Sequence, residues 1–143
     1  MKNIILLDES YSDMAIQLLR DNQLPTADFS LAKVISYGSV IQGELIAMAA
    51  LEVYGQAALL RSVAVHKQYR NQGYGNTIIS HIIEKSNKMN LSKLFLLTES
   101  AENFFRTIGF EPISRDQVPE EIKRSQEFTS LCPQSAVCMV YTL

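Results

Sequence analysis

The chain is poor in cysteine, in net charge and in long apolar runs, and each shortage excludes something. Two cysteines among 143 residues, Cys132 and Cys138, are too few for a disulfide framework and point to a reducing compartment, the cytoplasm. A net charge of −2 supplies no electrostatic reason to expect nucleic acid or an anionic membrane as partner. No apolar run approaches the length of a membrane span. The N-terminal stretch Ile4-Ile5-Leu6-Leu7 is too short for a signal peptide and turns acidic at once, at Asp8-Glu9. Repeats and low-complexity segments are missing, and no linker is long enough to divide domains, so residues 1–143 read as one domain. With 47% hydrophobic and 20% charged residues, disorder is excluded as the dominant state, and the chain is long enough to bury a sizeable core.

Apolar periodicity then orders the elements. Ile4 to Leu7 reads as a first strand, and Met14, Leu18 and Leu19 recur at helical spacing up to Asn22, with Ser10 and Asp13 as a capping arrangement. Lys33 to Tyr37, Glu44 to Tyr54 and Ala57 to Val65 are β-type runs; Gly38 to Gly43 separates the first two, and Gly55-Gln56 turns the chain into the third. From Gly75 to Met89, Ile78, Ile79, Ile82 and Ile83 form the apolar face of a helix. Leu94 to Leu97 is a buried-type strand, Ala101 to Ile108 a short helix stopped by Gly109, and Phe110 to Ile113 the start of another strand. Pro119 to Phe128 suggests an extra helix, and Ala136 to Leu143 a last strand.

The most informative segment runs from Leu60 to Ile79. A β-rich run ends at His66; a polar loop containing Arg70 follows; Gly73 and Gly75 then open a helix. A strand, loop and helix N-terminus of this kind aims several backbone N–H groups at one point, where the helix dipole favours negative charge. Glycine lets a bound group approach the backbone without a Cβ in the way. The expected guest is a phosphate or pyrophosphate on the N–H groups of Gln72, Gly73, Tyr74, Gly75 and Asn76, with Arg70 and Asn71 at the loop's entry. No Lys-Ser or Lys-Thr pair follows, as a P-loop needs, and Ile78 stands where a dinucleotide fold has its third glycine.

What matches is Gln/Arg-x-x-Gly-x-Gly/Ala, present as Arg70-Asn71-Gln72-Gly73-Tyr74-Gly75 after Ser62-Val63-Ala64-Val65. The segment resembles the acetyl-CoA-binding motif of the GNAT N-acetyltransferases. Ala101-Glu102-Asn103-Phe104-Phe105-Arg106-Thr107-Ile108-Gly109-Phe110 is similar to that family's Ala-x-x-Phe-Tyr-x-x-x-Gly-Phe signature, and the element order covers nearly the whole chain. Leu60-Arg61-Ser62, Leu96-Leu97-Thr98, Ser125-x-Glu127-Phe128 and Leu131-Cys132-Pro133-x-Ser135-Ala136 together resemble two branches. These are the acetyltransferase domain of N-acetylglutamate synthases and the small acetyltransferases associated with arsenic-resistance operons.

The resemblance implies a mixed α/β fold: a largely antiparallel sheet of six or seven strands, splayed at its centre and flanked by helices. It implies acetyl-CoA as cosubstrate, a small amino-acid-like amine as acceptor and direct acetyl transfer; a homodimer is left open. Main-chain groups of Val63, Ala64 and Val65 would hold the pantetheine arm as an added strand, and a backbone N–H there would stabilise the developing oxyanion. Phe105 takes the place of the Tyr that in many members stands near the CoA sulfur, and has no proton to give. Thr98 is the candidate hydroxyl, or else a cap for the following helix. Glu52 is the candidate base, or else a solvated strand residue; His66 and His81 read as surface histidines. Arg61, in an apolar strand, needs a partner: a substrate carboxylate, or Glu52 across the strands. Arg115 is a second substrate candidate. Cys132 and Cys138 admit a thiolate pair for a soft metalloid or buried structural thiols; without a third soft ligand the second reading is preferred, and no metal is expected. Phe105 and the undeclared base motivate an alternative, a CoA-binding sensor without catalysis.

Overall fold

The first strand of the meander does not stop at Gly38 but runs through it. In the computed structural model, which describes residues 2–131 and 135–143, β1 (Ile5–Leu6) and α1 (Ser12–Asp21) precede β2 (Ile35–Ile41), β3 (Glu44–Tyr54) and β4 (Ala57–Val65). Gly38 belongs inside β2 because a Cβ there would lie 2.7 Å from Leu45 Cδ1 and 2.8 Å from the Ala47 carbonyl oxygen. Close backbone approach, not a turn, explains that glycine. The turn is made by Gln42 and Gly43 alone, both with positive φ (52° and 79°), as a two-residue hairpin requires.

After β4 come α2 (Tyr74–Lys88), β5 (Lys93–Thr98), α3 (Glu102–Ile108), β6 (Glu111–Pro112), α4 (Glu120–Lys123) and β7 (Val137–Thr142). The helix expected over Pro119 to Phe128 is shorter: α4 ends at Lys123, and a separate π-type turn, Glu127–Leu131, follows. The seven strands lie in the order β1-β2-β3-β4-β5-β7-β6. All neighbours are antiparallel except β4 and β5, which run parallel. Among the described residues no helix is long and apolar enough to cross a membrane.

Successive strand residues face opposite sides of a sheet, and the core divides accordingly. Leu60 packs with Ile78, Ile79 and Ile82 of α2 and with Phe105 and Phe110 on one face. Leu59 packs with Val118, Ile122 and Phe128 on the other, where Leu18, Leu19 and Phe29 also cover Met48 and Ala64. Between Arg61 and Ala64 the alternation slips. Ala50 pairs with Arg61 and Met48 with Ala64, so two β4 residues, Ser62 and Val63, oppose one residue of β3. Ser62 takes φ +57°. This bulge turns Ala64 to the same face as Arg61.

Candidate active site

The two central strands hold each other only briefly. β4 pairs with β5 through Ala57–Lys93, Ala58–Leu94 and Leu59–Phe95, and no later pair joins them among the described residues. Beyond Leu59, β4 bulges and presents its backbone edge to a gap, while β5 turns to β7 for the whole of its length. Half-buried Val63 and Val65 and buried Ala64 line that free edge.

The edge ends at the glycine loop. His66 Nδ1 accepts the Gln68 N–H at 3.1 Å, capping a 3₁₀ turn over Lys67–Tyr69. Asn71 and Gly73 have φ of 62° and 87°, which reverses the chain so that α2 starts at Tyr74. The Thr77 N–H reaches the Gly73 carbonyl at 3.0 Å; the N–H groups before it have no intrahelical acceptor. Gly75 abuts Phe104, since a Cβ would come within 3.0 Å of the ring. Asn71, Gln72, Gly73 and Asn76 are exposed, and the Gln72 side chain donates back to the Gln68 carbonyl at 3.1 Å. Arg70 does not reach freely into the loop: its guanidinium donates to the Val65 carbonyl at 3.2 Å and to Asn22 Oδ1 at 2.9 Å. With Asp21, Asn22, His66 and Lys67 it lines a pocket of about 350 Å³ at the loop's mouth. A second cation, Lys2, lies 5.0 Å from the Tyr74 ring centroid.

On the opposite side of the free edge sits a buried ion-pair network. The Arg61 side chain is wholly inaccessible. Its guanidinium donates to both carboxylate oxygens of Asp28, 2.7 Å to Oδ1, and to Glu52 Oε2 at 3.1 Å, while Nε donates to Ser62 Oγ at 3.1 Å. Nε also lies 3.7 Å from Glu127. Burial opposes the charge on Arg61, but the Asp28 hydrogen bonds and the three carboxylates outweigh it and hold the pKa above its ordinary value. Burial pushes the Glu127 carboxyl up to about 7 against the pull of Arg61, and Asp28 and Glu52 add to the rise. Glu52 is engaged at both oxygens, taking the Tyr54 hydroxyl at 3.0 Å on the other; burial and that carboxylate push the Tyr54 phenol up to about 12.

The remaining sequence candidates are placed as follows. Thr98 is buried at the end of β5 and accepts the Ala101 N–H at 3.0 Å, capping the approach to α3. Phe105 lies in the core, its ring edge-on to Phe104 and Phe110 at 5.1 and 5.5 Å; the ring beside the glycine loop is Phe104. Arg115 donates to the Ala136 carbonyl at 2.9 Å and lies over the Phe128 ring, which ties it to the start of β7. His81 packs edge-on against Tyr37. Cys138 is buried, and burial pushes its thiol up to about 11; Cys132 lies outside the described residues.

A family model described as an acetyltransferase (GNAT) domain matches residues 34–112, more than half the chain. The chain belongs to the GNAT acetyltransferase family. Its GNAT relatives include the amino-acid acetyltransferase of Aeromonas salmonicida, 31% identical over 84 residues, which span 57% of this chain and 19% of that protein. That of Edwardsiella ictaluri is 36% identical over 78 residues, 53% of this chain and 18% of the other. The chain thus spans about a fifth of the length of the curated relatives it matches. Among solved structures, N-acetylglutamate synthase from Neisseria gonorrhoeae complexed with coenzyme A and L-arginine superposes with a TM-score of 0.82 at 22% identity. The match covers 99% of this chain and 33% of that one. Rv2747 from Mycobacterium tuberculosis, in complex with CoA and NLQ, gives 0.81 at 20% identity and covers 99% of both chains. These likenesses are to the GNAT fold, with the mostly antiparallel sheet and flanking helices expected from the motifs.

Asp28, Glu127, Lys2 and Phe104 escaped the sequence reading as site residues. A signal for two of them existed. An arginine in an apolar strand demands carboxylates, and Asp28 and Glu127 are acids placed directly before a phenylalanine that the core then buries, Phe29 and Phe128.

Proposed function

We propose that the chain is an acetyl-CoA-dependent N-acetyltransferase that acetylates the primary amine of a small, amino-acid-like molecule by direct attack. The observation that carries this reading is the parting of β4 from β5 after Leu59, with the freed edge leading into a helix N-terminus. The residues fit the cosubstrate. A strand edge with unpaired backbone groups can accept an extended amide-bearing arm as one more strand. Gly73, whose missing Cβ would meet nothing nearer than Lys2 at 3.8 Å, leaves room for a diphosphate on the N–H groups of residues 72–76, and Lys67, Arg70 and Lys2 add positive charge nearby.

When bound, acetyl-CoA supplies an acyl group already activated as a thioester, so the chain's part is to orient, to exclude water and to move protons. Val63 to Val65 would hold the arm through main-chain groups, and a backbone N–H of the same strand would stabilise the charge that develops on the thioester oxygen. Thr98, whose hydroxyl accepts from Ala101, still has its own proton to donate. Names of the relatives, amino-acid acetyltransferases, support an amino-acid-like acceptor. Phe105, with no hydroxyl at the matching position, favours the second reading, a CoA-binding sensor.

Calorimetry with acetyl-CoA, followed by CoA-thiol release across a panel of amino acids, separates these. Binding with turnover supports the enzyme; binding without turnover supports the sensor; no binding overturns both.

A further inference from the structure

The two outer edges of the sheet are guarded differently. β6 closes one end with Glu111 and Pro112, a charge and a residue without an N–H, and both discourage a further strand. β1 closes the other end with neither. Asn3-Ile4-Ile5-Leu6-Leu7 holds no charge and no proline, and no strand covers its outer side among the described residues. Ile5 is 38% exposed and Leu6 64%, two consecutive apolar side chains left in water on a free edge.

Backbone alternation restricts how another strand can join. The Leu7 N–H donates inward to the Ser36 carbonyl at 2.8 Å. In an antiparallel ladder the N–H and C=O groups of Ile4 and Leu6 therefore point outward. If the incoming strand is a second β1 running antiparallel, one register sets Ile4 against Leu6, Ile5 against itself on the two-fold axis, and the Lys2 position against Asp8. A slip of two residues either way sets Lys2 against Leu6, or Asp8 against Ile4. Charge complementarity selects the first register, and the segment Lys2 to Asp8 is complementary to itself, basic at one end and acidic at the other.

The same register fills a cavity. Between β1 and α2 lies a pocket of about 520 Å³, lined on the strand side by Ile4 and Ile5 and on the helix side by Thr77, Ser80, His81 and Glu84. Burial holds the His81 pKa below its ordinary value, so a neutral ring faces the pocket at pH 7. Ile4 packs on the α2 face of the sheet, and Leu6, two residues on, faces the same way. A two-fold axis perpendicular to the sheet keeps that face common to both copies. Leu6 of one copy then stands beside Ile4 of the other, at the pocket's mouth.

We propose that the β1 edge is a dimer interface occupied by a second copy of this chain, each copy adding its β1 to the other's sheet and seating Leu6 in the other's pocket. The contact is isologous and closes on itself. Its ladder is short, so the two leucines carry most of the affinity. The freed edge of β4 stays open in such a dimer, because β2 and β3 lie between it and β1.

Sedimentation velocity over a concentration series tests this. The wild type is expected to dimerise, and Leu6→Asp, a change at an exposed position, to raise the dimer Kd at least about tenfold with the far-ultraviolet dichroism kept. Ile5→Cys tests the register. Facing Cα atoms of a non-hydrogen-bonded pair lie about 4.5 Å apart, within disulfide reach, so mild oxidation should make that dimer covalent. Wild type, with its own Cys132 and Cys138, and Val53→Cys, exposed on β3, should not cross-link. A chain that stays monomeric up to about 100 µM, beyond the micromolar-to-picomolar span of standard interfaces, overturns the proposal. A dimer that Leu6→Asp leaves intact, or that Ile5→Cys does not cross-link, overturns it too, since either result puts the contact elsewhere. Should Leu6→Asp fail to fold, the Ile5→Cys cross-link decides alone.

Discussion

Gly75 and Phe104 touch so closely that a single added carbon on the glycine would come within 3.0 Å of the phenylalanine ring. The first turn of α2 rests on α3 there, and the loop's backbone N–H groups are aimed by that contact. Replacing Gly75 with Val overpacks it, at a cost of about 1–3 kcal/mol in stability, and displaces the helix start. The expected result in calorimetry is an acetyl-CoA Kd raised at least about tenfold, equivalent to about 1.4 kcal/mol, with the far-ultraviolet dichroism of the sheet retained.

Gly73 acts through conformation, because the nearest atoms to its missing Cβ belong to Lys2 at 3.8 Å and φ is +87°. Gly73→Ala should cost about 1–2 kcal/mol from the left-handed backbone alone, or a few degrees in Tm. Gly73→Glu carries the same strain and adds a negative charge where a diphosphate is expected. Loss of acetyl-CoA binding in Glu but not in Ala identifies the loop as an anion cradle; equal losses would reduce it to a turn.

Among the described residues, buried Arg61 is the one cation paired with the carboxylates of Asp28, Glu52 and Glu127. Arg61→Leu leaves them unpaired and should destabilise the fold by about 3–5 kcal/mol at pH 8. Arg61 is the charge that pulls the Glu127 carboxyl down against burial, so without the guanidinium Glu127 holds a proton more readily in the folded state and the deficit should shrink on acidification towards pH 5. Urea denaturation at both pH values reads the difference, and a deficit that does not depend on pH would contradict it.

Glu127 offers a separate stability test. Its folded pKa, pushed up to about 7 from 4.5, means that the native state binds the proton more tightly than the unfolded chain. The contribution to stability is therefore full below about pH 4.5 and is lost as pH rises through about 7. Relative to wild type, Glu127→Gln should gain stability at pH 8 compared with pH 5, as measured by denaturant midpoints. A wild type whose stability in this window is unaffected by the substitution would place the carboxyl at its ordinary value.

Where sequence reasoning succeeded, the determinants were local. Gly73, Gly75 and the Ile78-Ile79-Ile82 face announced the loop and α2, and Tyr54-Gly55-Gln56-Ala57 announced its hairpin, because glycine and apolar spacing act over a few residues. It misjudged Gly38, since a glycine excluded by a neighbouring strand carries the same letter as one in a turn. It overextended the helix after Pro119, where buried Ser125, Glu127 and Phe128 answer to the sheet beneath rather than to helical period. The partners of Arg61 were hardest to foresee, because Asp28 is 33 positions away and no periodicity links them. The Glu52 pairing, weighed from strand adjacency, is present.

Among the described residues, three backbone pairs between β4 and β5 join the left and right portions of the sheet. Such a sheet is two blades on a short hinge, and whatever wedges between them from Leu60 onward completes the missing seam. The cosubstrate would then be mortar as well as reagent: amide exchange should slow on both blades when it binds, and the empty protein should breathe most along that line.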